Sequence, residues 1–509
     1  MPTAAPPEQL ARAIQDFLGE SPSAVVREDG EILFDFASAR YSLLTEHGKC
    51  VLHLWSQERN AVRRVVDLEQ KDGTLVLSVL RFGQARPAKL EICRERDQRT
   101  PSARKASREG YRRRLERALA RNFPEWRLER ASCAMDLERS FSPVYTRGEL
   151  RHGNTAMAVL GVNGEEMQAS IDAALTFGLL WLDHCRQDAR GVVAGLKLFL
   201  PPQTGAIVRE RMAHLDHAAA QFALYEFDER ELAFTELDCR DRGNVETRLV
   251  HCPDQLAVRD RFAEQIDRVR AIVLDAELSV ASAYEVAFRI HGLEFARARL
   301  AADPRSFRNA AQLVFGAPPA ETPVTEENWD EFKDFARMLA GARNEHADHA
   351  NPLFRMQPER WLESLVLRDL GKLDGRLLPA PVYSQVPAFS ASDRGMIDVL
   401  GLARDARLAV LELKADEDIH LPLQGIDYWA RVEWHRQRGE FRRFGYFAGR
   451  ELAPEPPLLL LVAPALHVHP ATDTLLRYVA PEIDCELLGI DERWREEIRV
   501  IFRKRPQRM

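Results

Sequence analysis

The stretch LAVLELKADED, Leu408 to Asp418, joins a run apolar enough for a buried strand to a cluster of charges. Successive side chains of a strand point to opposite faces, so Leu408, Val410, Glu412 and Lys414 share one face. Ala409, Leu411 and Leu413 line the other. Apolar residues on both faces predict a central strand covered on both sides. Charges at the end of such a strand are costly to bury unless they are paired, hydrated or hold a metal. An edge strand with a solvated Glu412–Lys414 pair would avoid that cost, but LAVLEL is apolar on both faces and argues against an edge.

Outward from this strand the pattern is regular. PERWLESLVLRDLGKL (358–373) predicts a helix, followed by strands over PVYSQVPAF (381–389) and GMIDVLGLA (395–403). The turn signal ARDAR (403–407) predicts a hairpin into the strand at 408, which brings Asp398 beside Glu412. A helix over LPLQGIDYWARVEWHRQ (421–437), a strand over PLLLLVA, a short helix near Thr472 to Tyr478, a strand over CELLGI and a terminal helix complete the region. The fold class expected is therefore α/β, with a mixed central sheet flanked by helices.

This order, with Asp398 in IDVLG, Glu412 and Lys414 in ELK, and Gln424 and Tyr428 in QGIDY, resembles the PD-(D/E)XK nuclease superfamily, in its RecB-like and NucS-like branches. Glu363 in RWLES matches the first-helix glutamate of that family, with Glu359 one turn earlier able to take its place. The resemblance covers the C-terminal third. It implies a restriction-endonuclease-like domain that hydrolyses phosphodiesters, with Asp398, Glu412, Lys414, Gln424 and Tyr428 as catalytic residues. Glu363, Asp398, Glu412 and the Leu413 carbonyl would be the metal ligands. Mg2+ or Mn2+ is the implied cofactor, since hard cations prefer oxygen ligands. Such an ion acidifies a water and neutralises developing charge, while Lys414 orients that water or stabilises the transition state. The resemblance favours DNA over RNA, in repair or in defence against foreign DNA. The alternative is a protein that keeps the fold for binding or assembly and does not cut.

The rest of the chain resembles no known family. Its 509 residues exceed one hydrophobic core. Composition shifts divide it into a strand-rich α/β domain with a basic helix (1–150), a mixed α/β middle domain (151–315), a linker and helix (316–350) and the nuclease-like domain (351–509). The proline-rich segment Phe315 to Asn328 marks the second boundary. No internal repeat is visible. The net charge of −7 excludes a globally basic nucleic-acid binder but not a local basic surface. One candidate is the helix bearing Arg104, Lys105, Arg108, Arg112, Arg113 and Arg117, which can pack Leu115 and Leu119 inward and present arginines outward. Arg59, Arg63 and Arg64 extend it or form a salt-bridged sheet face. Tyr145, Arg147, Arg151 and His152 sit in a stretch, 140–153, that reads as a polar loop.

Seven scattered cysteines with no CxxC pair argue against a disulfide framework and a zinc knuckle, and for a reducing compartment. The first residues lack the pattern of a signal peptide, and the longest apolar run, Leu458 to Leu466, is too short for a bilayer. A cytoplasmic protein is expected, with no membrane partner and with a homodimer compatible. The His clusters HLDH (214–217), EHADH (345–349) and HVH (467–469) lack a cysteine pair or HExxH frame and read as surface or capping groups. The absence of GxxxxGK[ST] and GxGxxG argues against a nucleotide cofactor.

Overall fold

The computed structural model describes residues 6–507 except 20–23, 29–30, 37–38, 47–48, 57–59, 72–73, 81–87, 94–100, 137–140, 190, 244, 246, 303–308, 317–320 and 390–395. The chain is mixed α/β. Among the described residues no helix is long and apolar enough to cross a membrane.

Two compact units interleave along the chain. The first comprises Met1–Arg104 and Asp254–Gln357, the second Lys105–Pro253 and Pro358–Met509. The limit at 357/358 lies near the sequence division at 350, while no unit limit falls near 150 or 315. The proline-rich segment in particular joins a sheet, because Thr322 and Pro323 pair with Phe315 and Val314.

The first unit contains a seven-stranded antiparallel sheet between Val25 and Cys93, covered by a helix over Pro7–Gly19. It also contains a five-stranded sheet between Glu277 and Pro323, packed on the helix Trp329–Ala342. Two of its arginines, Arg63 and Arg343, are buried and structural. Arg63, buried in the first sheet, forms a two-pronged ion pair with Glu28 at 2.8 Å, which answers the choice between a basic surface and a salt-bridged sheet in favour of the latter. Arg64 is exposed, and Arg59 lies outside the described residues. Arg343, fully buried, donates to the carbonyls of Ile290, His291, Leu353, Met356 and Gln357, so its charge meets oxygen on every side.

The second unit is built on two sheets over one apolar core. The first sheet follows helix α1 (Pro101–Asn122, whose first turn precedes the unit boundary) and contains β1 (Arg127–Ser132), β2 (Tyr145–His152) and β3 (Thr155–Val162). Helix α2 (Ala174–Asp188), β4 (Val192–Leu200), α3 (Ala206–Met212), β5 (Gln221–Asp228) and β6 (Ala233–Leu237) follow. The second sheet follows α4 (Pro358–Arg368) and contains β7 (Tyr383–Phe389), β8 (Met396–Leu402) and β9 (Leu408–Leu413). Helix α5 (Leu421–Gln437), β10 (Leu458–Pro464), α6 (Thr472–Leu476), β11 (Asp484–Ile490) and β12 (Val500–Lys504) complete it. Every residue of β9 and β10 is buried, as apolar side chains on both faces require.

Two local readings are corrected. The stretch 140–153 is not a loop: its second half is β2, whose first six residues are buried, and its arginines are accommodated by pairing and aromatic stacking. The predicted terminal helix is instead a run of turns followed by β12, an edge strand antiparallel to β11. Gly489 explains the preference, since a Cβ there would fall 2.1 Å from Phe502, so only glycine lets that ring close over the sheet. Packing on the sheet thus outweighs helix propensity.

Candidate active site at the end of β8 and β9

The hairpin of β8 and β9 pairs Val399 with Leu411 and Leu400 with Val410. The same register carried one step further sets Asp398 opposite Glu412. The two carboxyl groups lie close enough to act on each other electrostatically, and Asp398 Oδ2 accepts from the Leu413 amide at 3.0 Å. Lys414 Nζ lies 3.4 Å from Glu412 Oε1 and 3.5 Å from Asp418 Oδ2. The expected convergence of Asp398, Glu412 and Lys414 is therefore present.

Charge in this cluster is out of balance. Burial raises the Glu412 carboxyl well above the usual carboxylate range, and the neighbouring Asp398 adds to it. Burial works against the Lys414 ammonium, but Glu412, Asp418, Asp398 and Glu359 outweigh it and hold its pKa above the ordinary lysine value. Glu359 is also raised, first by burial and then by Asp416. Asp398 and Glu412 thus share the Lys414 ammonium in a poorly hydrated place, and like charges so placed ionise together only with further positive charge. Glu412 Oε2 is buried without a hydrogen-bond partner, and so is Gln424 Oε1 on α5. Buried polar atoms of this kind call for an explanation. Tyr428, one turn further along α5, has its pKa raised by burial and by the fields of Glu412 and Asp398.

Glu363 on α4 enters through a residue that the sequence reading missed. Gln385 on β7 donates from Nε2 to Glu363 Oε2 at 2.8 Å and to Asp398 Oδ1 at 3.3 Å. It has a left-handed backbone with φ of 50°, a conformation that is strained for a residue with a Cβ. Glu363 also accepts from Arg360 at 3.1 Å. Among the described residues, no three Asp, Glu, His or Cys side chains stand close enough to hold an ion as placed. The Gln385 amide lies between Glu363 and Asp398, and Lys414 takes one oxygen of Glu412. The donor chemistry nevertheless fits a hard cation, because every candidate ligand is oxygen and one buried oxygen of Glu412 is unpartnered.

The surroundings hold further charges. Arg495 lies within the field of Asp416 and Glu359 and stacks on Trp494 and Trp361. His467 and His469 approach Asp416 and Glu417, on the loop that follows Lys414, at 3.9 and 3.8 Å. In HLDH, His214 is buried and the half-buried His217 bonds the Met212 carbonyl at 3.1 Å, while His346 and His349 of EHADH are exposed.

Part of the basic helix is committed to acids. Arg108 forms a two-pronged pair with Glu166, and Arg112 lies between Glu109 and Glu116. Arg104 is half-buried, while Lys105, Arg113 and Arg117 are exposed. The inward face carries Tyr111, Leu115 and Leu119, all buried. Compared with protein-family models, with curated proteins and with solved structures, the chain matches none of them.

Proposed function

We propose that the second unit is a metal-dependent nuclease of the PD-(D/E)XK kind, acting on DNA in preference to RNA. The observation that carries this reading is the meeting of Asp398 and Glu412 on adjacent strands with Lys414 beside them and too little positive charge among them. Asp398, Glu412, Glu363 and the Leu413 carbonyl would hold Mg2+ or Mn2+. When bound, the ion supplies acidification of water and relief of phosphate charge. Lys414 would donate to the attacked phosphate or orient the attacking water. Gln424 and Tyr428 offer an amide and a hydroxyl on the same flank, suited to positioning the sugar-phosphate chain. Gln385 would release Glu363 and Asp398 when the ion arrives and lend its amide to the phosphate.

Incubation of the full chain with plasmid, single-stranded DNA and RNA in Mg2+ or Mn2+ tests this reading. Cleavage is expected for the wild type and lost in Asp398→Ala and Lys414→Ala. Cleavage that survives both changes removes the site. Binding without cleavage under either metal favours the alternative, a nucleic-acid-binding protein that has kept the fold.

A further inference from the structure

The two sheets of the second unit share one topology, apart from a two-residue strand, Arg248–Leu249, that pairs with β7 in the second sheet alone. Each begins with a helix and a three-strand antiparallel meander, continues through a helix to a parallel strand and a short helix to a second parallel strand, and ends on an antiparallel edge. The elements α1 to β6 thus correspond in order to α4 to β12. A glycine in the middle helix of each half fixes the register. A Cβ on Gly178 of α2 would strike Leu198 and Leu196 of β4, and one on Gly425 of α5 would strike Leu461 and Leu459 of β10.

From that anchor each site residue has a counterpart. Glu412 pairs with Leu461, and Leu160 pairs with Leu198, so Leu160 stands where Glu412 does. Lys414 corresponds to Val162, two residues on from Leu160. Across the meander Leu160 faces Arg147, which therefore occupies the place of Asp398. Trp181, three residues after Gly178, replaces Tyr428. The first half has filled this place: Arg147 is 4% exposed, with its guanidinium carbon 4.6 Å from the Phe141 ring centre and 5.9 Å from that of Trp181. Glu149, the buried acid on the same strand, is taken by Arg130 and Arg151.

The halves meet reciprocally. Leu215 and Val479, each just beyond the short helix of its half, form an isolated antiparallel bridge. The Asp216 amide donates to the Tyr478 carbonyl at 2.8 Å, and the Ala480 amide to the His214 carbonyl at 3.0 Å. Arg211 of α3 binds Asp427 of α5, and Arg477, next to α6, binds Asp183 of α2. Exchange of this kind is what a two-fold relation produces.

We propose that the second unit is a fused pair of like folds with only one member able to cut, so that the chain breaks one strand per encounter with a duplex. This rests on the nuclease reading above. Each cut adds one water across one P–O bond: the water oxygen joins phosphorus, and one strand end leaves as an alcohol carrying the proton. The other end keeps the phosphate. With a single centre, the opposite strand needs a separate encounter.

Two measurements on the full chain test this. Supercoiled plasmid in Mn2+ should accumulate nicked circles before linear DNA appears. Manganese titration followed by electron paramagnetic resonance should show binding that disappears in Glu412→Gln, together with at least a ~100-fold loss of nicking. Linear product rising in step with nicked circles from the start would overturn the inference, as would Glu412→Gln retaining bound Mn2+ and part of the cutting. A wild type that binds no Mn2+ and cuts nothing removes the nuclease reading, and the inference with it.

Discussion

Glu412 is a carboxyl at the end of a strand with no exposed residue, facing a second acid and a single lysine. A buried acid is costly unless a partner makes it useful, and the partner we propose for it is a bound divalent cation. Glu412→Gln keeps the shape and removes the charge. Cleavage is expected to fall by about 10²–10³-fold or more, while the metal-free melting temperature holds or rises because a buried acid pair is relieved. Gln385 makes the complementary case. Its left-handed backbone aims the amide at both Glu363 and Asp398, so Gln385→Val should cost about 1–3 kcal/mol in urea denaturation. Gln385→Gly should cost far less. The acids were legible because strand alternation and one turn signal suffice to pair them. Gln385 was not, because YSQVPAF reads as an ordinary strand and nothing local marks the residue that leaves it. Arg495 escaped notice for a related reason, lying in a segment whose composition reads as helix.

At the scale of elements, the site helix α5 is held by close approach and by charge. Gly425→Ala would place a methyl 2.4 Å from Leu461, and Gly178→Ala one 2.8 Å from Leu198. Each is expected to lose about 1–3 kcal/mol through overpacking, measured by chemical denaturation, with the similar size of the two losses reflecting the shared crossing. Arg211 and Asp427, with side chains 10% and 16% exposed, form the pair that ties α3 to α5. Removing either partner alone should cost about 3–5 kcal/mol, since the other charge is left buried. The double variant Arg211→Met with Asp427→Leu should recover much of that loss. The order of elements after 358 was readable from hydrophobic period and turn residues, apart from its end. There the contacts of Phe502 with Gly489 select a strand, and no local signal reports a contact across a sheet. β2 was misread for the opposite reason, because its buried arginines look like solvent-facing residues until their partners are known.

The molecule as a whole carries a pH signature that is independent of the acid site. Burial and the nearby Arg242 push His214 down to about 4 from an ordinary value of 6.5. The folded state therefore refuses a proton that the unfolded chain accepts. Stability should be full above pH 6.5 and decline as the pH falls toward 4, by on the order of 3 kcal/mol. His214→Gln should flatten that part of the profile in urea titrations. The larger architecture was hardest to read. The units interleave, so boundaries drawn along the chain cannot reproduce them. The two like halves of the second unit share topology and register while their residues diverge, with arginine opposite aspartate and leucine opposite glutamate.

Crystals grown in Mn2+ would show whether Asp398 and Glu412 grip a divalent ion. An anomalous scattering peak is expected between these two carboxylates, with the Gln385 amide displaced from between Glu363 and Asp398. Saturating Mn2+ with no peak there, and with the Gln385 bridge intact, would contradict it.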